Sequence, residues 1–208
     1  GNFAEGWRGY EWRWRYEGFP TPRRDLPQPL WLGAEPVAGK TVAVPWEQGL
    51  GDTIHFCRYL ALLEERGARV LFAPQRPLRG LMKGLCGNVE LVDLLDLLED
   101  RVTFDYQVPL LSLPLAFATA SDSIPNAVPY LRPESARVAH WRNRLGNHGF
   151  KVGICWQGNT GNLDRGRSFP VSSFAGIARL PGVRLINLHK GDGLAQLCQR
   201  ASGRRAKS

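Results

Sequence analysis

The reading of this chain turns on "VPWEQGLGDTIHFCRYL", Val44 to Leu60. An apolar run ends in a turn carrying two glycines, a carboxylate follows at once, and an amphipathic pattern begins. The run is the end of "KTVAVPW", whose β-branched residues suit a buried strand. From Asp52 to Gly67, Phe56, Leu60 and Leu63 recur at helical spacing. Strand, glycine turn and helix make one βα unit. In a parallel sheet the carboxyl end of a strand faces a helix N-terminus whose backbone N–H groups lack intrahelical partners, and ligands gather there.

The pattern repeats outward from this unit. "ARVLFAP" reads as the next strand, "PLRGLMKGLC" as a helix, "NVELVDL" as a third strand and "FDYQVPLL" as a fourth. Strands alternating with helices predict an α/β fold with a mainly parallel, covered sheet. After the loop-like "SDSIPNAVPYLRP" the stretch "ESARVAHWRNRL" reads as a helix and "GNHGF" as its stop. At Lys151 the pattern restarts: strand "KVGICWQGN", helix "VSSFAGIARL", strand "VRLINLHKG" and helix "GLAQLCQRA". The expected division is therefore 1–37 as an end segment and linker, 38–132 as a complete Rossmann-like lobe, 133–150 as a connecting helix and linker, and 151–208 as the beginning of a second lobe.

Composition narrows the class. With 43% hydrophobic residues over 208 positions a packed core is within reach. No apolar run approaches the roughly 20 residues that span a bilayer, and the start lacks a basic segment followed by an apolar core. The reading expects no integral membrane segment and a cytoplasmic address. The net charge of +8 is uneven. From Ser135 onward 13 Lys and Arg face 2 acids, whereas the first 134 residues hold 14 against 17. These cations are not interleaved with aromatic platforms, which favours a phosphorylated ligand, or missing acidic sequence that would balance the charge, over nucleic acid. The aromatic opening "WRGYEWRWRY" is expected to pack on the domain surface with its arginines outward. Cys57, Cys86, Cys155 and Cys198 form no CxxC pair, so buried free thiols are expected and no metal site.

Two turns carry the candidate chemistry. In "QGLGD", Gly49 and Gly51 are expected to permit positive φ and close approach to the backbone. The motif is neither a Walker loop nor GxGxxG, because Ile54 stands where the last glycine would be. Asp52 has two readings: an acid stabilised by the helix dipole and capping free N–H groups, or a general base. In "WQGNTGNLDRGRSFP", Asn159, Arg165, Arg167 and Ser168 precede a helical pattern opening at Pro170. Cations and backbone donors would suit a diphosphate; the alternative is a solvated polar loop.

Taken together, "WEQGLGDTIHFCRYLALLEERGARV", "PLLSLPLAFATASDSIPNAVPYL" and "GICWQGNTGNLDRGRSFPVSSFAGIARLPGVRLINLHKG" resemble the glycosyltransferase-like domains of bacterial tetratricopeptide-repeat proteins. Those are similar in turn to the ADP-heptose heptosyltransferases and share their GT-B fold. The resemblance covers roughly residues 3 to 193, with the first fifteen looking like a last repeat helix. It implies an acceptor lobe, a donor lobe, and inverting, metal-independent transfer from a nucleotide-diphosphate sugar, with no cofactor. It implies Asp52 as the base, Gln48, Gly49 and Gly51 as the acceptor-side turn, and Asn159, Arg165, Arg167, Ser168 and Lys190 toward the donor phosphates. The acceptor would be a glycan, a lipid-linked sugar or a protein. Such families continue into a later turn of pattern DTxxAHLAG, which this sequence does not reach. An incomplete second lobe is therefore expected, with homo-oligomerisation through it, and a noncatalytic interaction domain is the alternative reading.

Overall fold

The computed structural model describes residues 1–158, 166 and 168–197. The chain divides into two compact units, Gly1–Ala139 and His140–Ser208. The first is built on a four-stranded parallel sheet in the order β3-β2-β1-β4, with β1 at Thr41–Pro45, β2 at Arg69–Ala73, β3 at Glu90–Leu91 and β4 at Tyr106–Gln107. In chain order its helices are α1 (Phe3–Tyr10), α2 (Leu50–Phe56), α3 (Leu60–Glu65), α4 (Arg79–Met82), α5 (Leu94–Leu98) and α6 (Leu113–Ala116).

The apolar runs of β1 and β2 are continuous because both sheet faces are covered. Side chains alternate across a strand, so Val42, Val44, Val70 and Phe72 enter one core with Leu60, Leu63 and Met82, while Ala43, Leu71 and Ala73 meet Leu97 and Phe104 on the other face. Strand order reverses beside β1: the chain moves to β2 and β3 on one side, then crosses to β4 on the other. In open α/β sheets ligands usually bind at such a reversal, which here lies between the loops leaving β1 and β4.

The expected helix from Asp52 to Gly67 is interrupted. A 3₁₀ turn, Cys57–Tyr59, separates α2 from α3. Cys57 Sγ donates to the Ile54 carbonyl at 3.2 Å, Tyr130 Oη donates to the same oxygen at 3.1 Å, and Arg58 Nε donates to His55 O at 2.9 Å. Side-chain donors that claim these carbonyls compete with the i→i−4 ladder and tighten the turn. Gly67, at φ +79, then ends α3.

The N-terminal stretch packs on the sheet of the first unit. Trp31 is fully buried, Leu26 and Val37 join the core, and residues 29–31 run parallel to β4 through Trp31 N to Gln107 O (2.8 Å) and Gln107 N to Pro29 O (3.0 Å). Contrary to expectation, not all its arginines face outward: Arg13 is 7% exposed. The reason lies in a partner far along the chain, Glu47. Helix α1 is itself docked, with Trp7 Nε1 donating to Thr119 O and its ring edge-on to Phe56.

The division between the units falls within α7 (Ser135–Leu145). The second unit holds a separate two-stranded parallel sheet, β5 (Phe150–Ile154) with β6 (Val183–Asn187), and α8 (Ala175–Ala178). Among the described residues no helix is long and apolar enough to cross a membrane.

Candidate functional site

The turn after β1 is fixed from several directions. Glu47, 1% exposed, receives Arg13 in a bidentate pair, Nε to Oε1 at 2.8 Å and Nη2 to Oε2 at 2.9 Å. Arg13 Nη2 also donates to Ser112 Oγ, and Nη1 to Tyr10 O and Glu11 Oε1. All five guanidinium N–H groups thus have acceptors. Glu47 Oε2 further accepts the Leu111 N–H at 3.2 Å, linking the loops that leave β1 and β4. Burial pushes the Glu47 carboxyl upward against the pull of Arg13 and Leu111. Burial works against the Arg13 charge, but the hydrogen bonds and charges of Glu47 and Glu11 outweigh it and raise that group.

One residue on, Gln48 takes φ +55. This corrects the expectation for the glycines: the left-handed conformation falls on Gln48, while Gly49 is extended at φ −84, ψ 170 and Gly51 lies inside α2. A non-glycine residue there costs about 1 kcal/mol or more and persists only where its surroundings hold it. Here the Gln48 N–H donates to Thr21 Oγ1 at 2.9 Å, its side-chain amide bonds the Tyr10 hydroxyl, and Gln75 Nε2 donates to the carbonyls of Gln48 and Gly49. Burial raises the Tyr10 phenol, with Glu47 and Asp52 adding to that shift.

Asp52 sits at the third position of α2, and its Oδ2 accepts the Gly49 N–H at 2.8 Å. The capping contact is therefore present. A carboxylate offers about four acceptor positions, so this single bond leaves capacity for a further partner. A Cβ on Gly51 would meet nothing within 4 Å, so the backbone beside Asp52 is open to an approaching group. Gln48, Gly49, Gly51 and Asp52 are thus brought together at the carboxyl edge of β1. Arg13, Glu47, Thr21 and Gln75, which the sequence reading did not single out, build the frame. The only sequence signal for them was an acid directly after an apolar strand.

The second unit has its own carboxyl edge. The loop leaving β5 closes through Phe169 N to Trp156 O (2.9 Å) and Gly158 N to Ser168 Oγ (3.1 Å). Ser168 thereby forms the neck of the loop. Asn159, Arg165 and Arg167 lie outside the described residues. Lys190 is exposed just beyond β6. The helix expected from Pro170 is reduced to a 3₁₀ turn, Val171–Phe174, and the single turn of α8. The Val171 N–H at its start donates to Gln196 Oε1 at 2.9 Å.

At the same edge Trp156, 1% exposed, stacks on His189 with ring centroids 4.3 Å apart, and its Nε1 donates to Gly193 O. The thiols meet the expectation of burial only in part, and Cys198 lies outside the described residues. Cys57 is buried, but Cys86 and Cys155 are exposed. Cys155 lies at the end of β5 on the side opposite its buried neighbours Ile154 and Trp156, a placement that an apolar pattern alone does not reveal.

The chain is 29% identical over 210 residues to "Protein FlbA" of Caulobacter vibrioides (strain ATCC 19089 / CIP 103742 / CB 15). The alignment covers 92% of the chain and 35% of FlbA, so the chain spans about a third of that relative's length. No family model matches the chain, and no solved structure matches it.

Proposed function

We propose that this chain is a glycosyltransferase-like domain of GT-B type that moves a sugar from a nucleoside diphosphate sugar to an acceptor hydroxyl, with inversion and without a metal ion. The observation that carries the reading is the glycine turn. It stands at the carboxyl edge of a parallel sheet beside the reversal of strand order, is strained at Gln48, and presents the Asp52 carboxylate next to open backbone. Strain held in place by its surroundings clusters at functional sites.

In this reading Asp52 accepts the proton of the acceptor hydroxyl as its oxygen bonds the anomeric carbon, while the bond from that carbon to the diphosphate oxygen breaks on the opposite face. Positioning of the hydroxyl supplies much of the rate. For the donor diphosphate, whose departing charge calls for cations, the family resemblance points to Arg165, Arg167, Ser168 and Lys190 of the second unit. The test is nucleoside diphosphate release from a panel of nucleotide sugars, run with and without EDTA. Release above the protein-free rate, unchanged by EDTA, is expected. Release from no donor, or release abolished by EDTA, overturns the reading.

A second reading, a noncatalytic domain that associates with another copy, is favoured by the two-stranded sheet of the second unit and by exposed Phe150 (72%) and Leu188 (66%) on its strands and strand end. Short open parallel sheets with apolar surface invite pairing. Light scattering at tens of micromolar, on the order of working concentrations for such complexes, should show a dimer; a clean monomer refutes it.

A further inference from the structure

We propose that Cys155 and His189 form a nucleophile and base pair, making Cys155 a site of reversible covalent modification by low-molecular-weight disulfides. The inference does not depend on the sugar-transfer reading. Cys155 Sγ lies 3.7 Å from His189 Nδ1, within hydrogen-bonding reach of sulfur. His189 is 8% exposed and held on all sides. Its ring stacks on Trp156, its backbone N–H donates to Asn187 Oδ1 at 2.8 Å, and its Nε2 contacts the Asp192 carbonyl oxygen. A carbonyl oxygen only accepts, so Nε2 carries the proton in the neutral ring, and Nδ1 turns a lone pair toward the thiol. A nucleophile facing a base, which a third group orients, is the arrangement that activates a thiol.

The sulfur is also within reach of a reagent. Cys155 is exposed, in contrast to Cys57, which is 1% exposed and whose thiol burial pushes up to about 12. Cys86 provides an internal comparison. It too is exposed, but its thiol meets the Pro129 carbonyl at 3.5 Å, an acceptor that cannot take the proton away. Cys155 and Cys86 thus differ in their partner, a base for one and a carbonyl for the other.

The reaction balances without an added oxidant. The Cys155 thiol proton passes to His189 Nδ1, and the thiolate attacks one sulfur of the disulfide. A new S–S bond forms as the old one breaks, and the leaving thiolate takes the proton back from Nδ1. One disulfide is consumed, one mixed disulfide and one thiol are produced, and a small thiol reverses the step.

The experiment treats the whole native chain with oxidised glutathione at neutral pH, quenches with acid at intervals, and follows the Cys155 and Cys86 peptides by mass spectrometry in the same samples. Cys155 should form the mixed disulfide roughly 10-fold faster than Cys86, because a neighbouring base takes the thiol proton as the sulfur attacks. In urea, where the pair is dispersed, the two rates should converge. His189→Gln should bring Cys155 down to the Cys86 rate and leave Cys86 unchanged. Equal native rates at Cys155 and Cys86 overturn the proposal, as does a folded His189→Gln chain in which Cys155 is as fast as before. If that variant does not fold, the native comparison decides by itself.

Discussion

Replacing Arg13 by methionine removes the guanidinium but keeps an apolar stem for the rings of Tyr10 and Trp14, which lie 4.6 and 4.3 Å from its carbon. Glu47 then remains at 1% exposure with the Leu111 N–H and without its cation. Breaking one partner of a buried ion pair costs about 3–5 kcal/mol, a large part of the roughly 5–15 kcal/mol by which domains are stable. The penalty depends on pH. Burial already raises the Glu47 carboxyl, and without Arg13 it rises further. A carboxyl raised in the folded state favours folding most at acidic pH and loses that advantage as pH climbs through its folded value. The destabilisation by Arg13→Met should therefore shrink on going from pH 7 to pH 5, by up to about 1.4 kcal/mol per unit. The double variant Arg13→Met, Glu47→Leu should recover most of the loss, since apolar replacement of a whole pair is often neutral. Urea unfolding read through labelling of Cys57, which lies in the core of the first unit, isolates the relevant transition. A single variant within 1 kcal/mol of the parent, or a loss independent of pH, would refute the argument that the N-terminal segment is locked to the glycine turn by this pair.

Two further outcomes follow from the first unit. A Cβ at Gly84 would come within 1.9 Å of the Arg132 carbonyl oxygen, whereas one at exposed Gly80 meets nothing within 4 Å; Gly84→Ala should cost about 1–3 kcal/mol or more and Gly80→Ala should be neutral or stabilising by up to about 1 kcal/mol, both read from urea midpoints. The Asp105 carboxyl is held below the ordinary aspartate value by the Thr41 N–H and by Lys40, so its contribution is full above that ordinary value and lost as pH falls through the depressed one. Asp105→Asn should flatten the acid limb of a stability profile, and an unchanged limb would contradict this.

Strands β1 and β2 were legible because a strand covered on both faces writes itself as an unbroken apolar run, as in Val42–Val44 and Val70–Ala73. β3 and β4 were placed correctly but shrink to two residues each, since their neighbours leave the ladder for loops. The N-terminal segment was not legible. Arg13 reads as a surface arginine until Glu47 and Ser112 are brought to it across the fold. Gly49 and Gly51 drew attention as the residues free to take positive φ, yet that conformation sits on Gln48, where contacts to Tyr10, Thr21 and Gln75 override local preference. Cys155 and His189 stand 34 positions apart. Only the β5–β6 register, with Ile154 opposite Asn187, places their strand ends side by side.

The most direct test of the central claim compares Asp52→Asn and Asp52→Ala with the parent chain in nucleotide-sugar turnover and in urea stability, on the same preparations. An amide oxygen still accepts the Gly49 N–H, so the Asn variant should keep nearly full stability, and Ala should lose up to about 1 kcal/mol. Neither accepts a proton, so both should lose roughly 100-fold or more in turnover. An Asn variant that turns over at the parental rate would make Asp52 a helix cap alone and contradict the account.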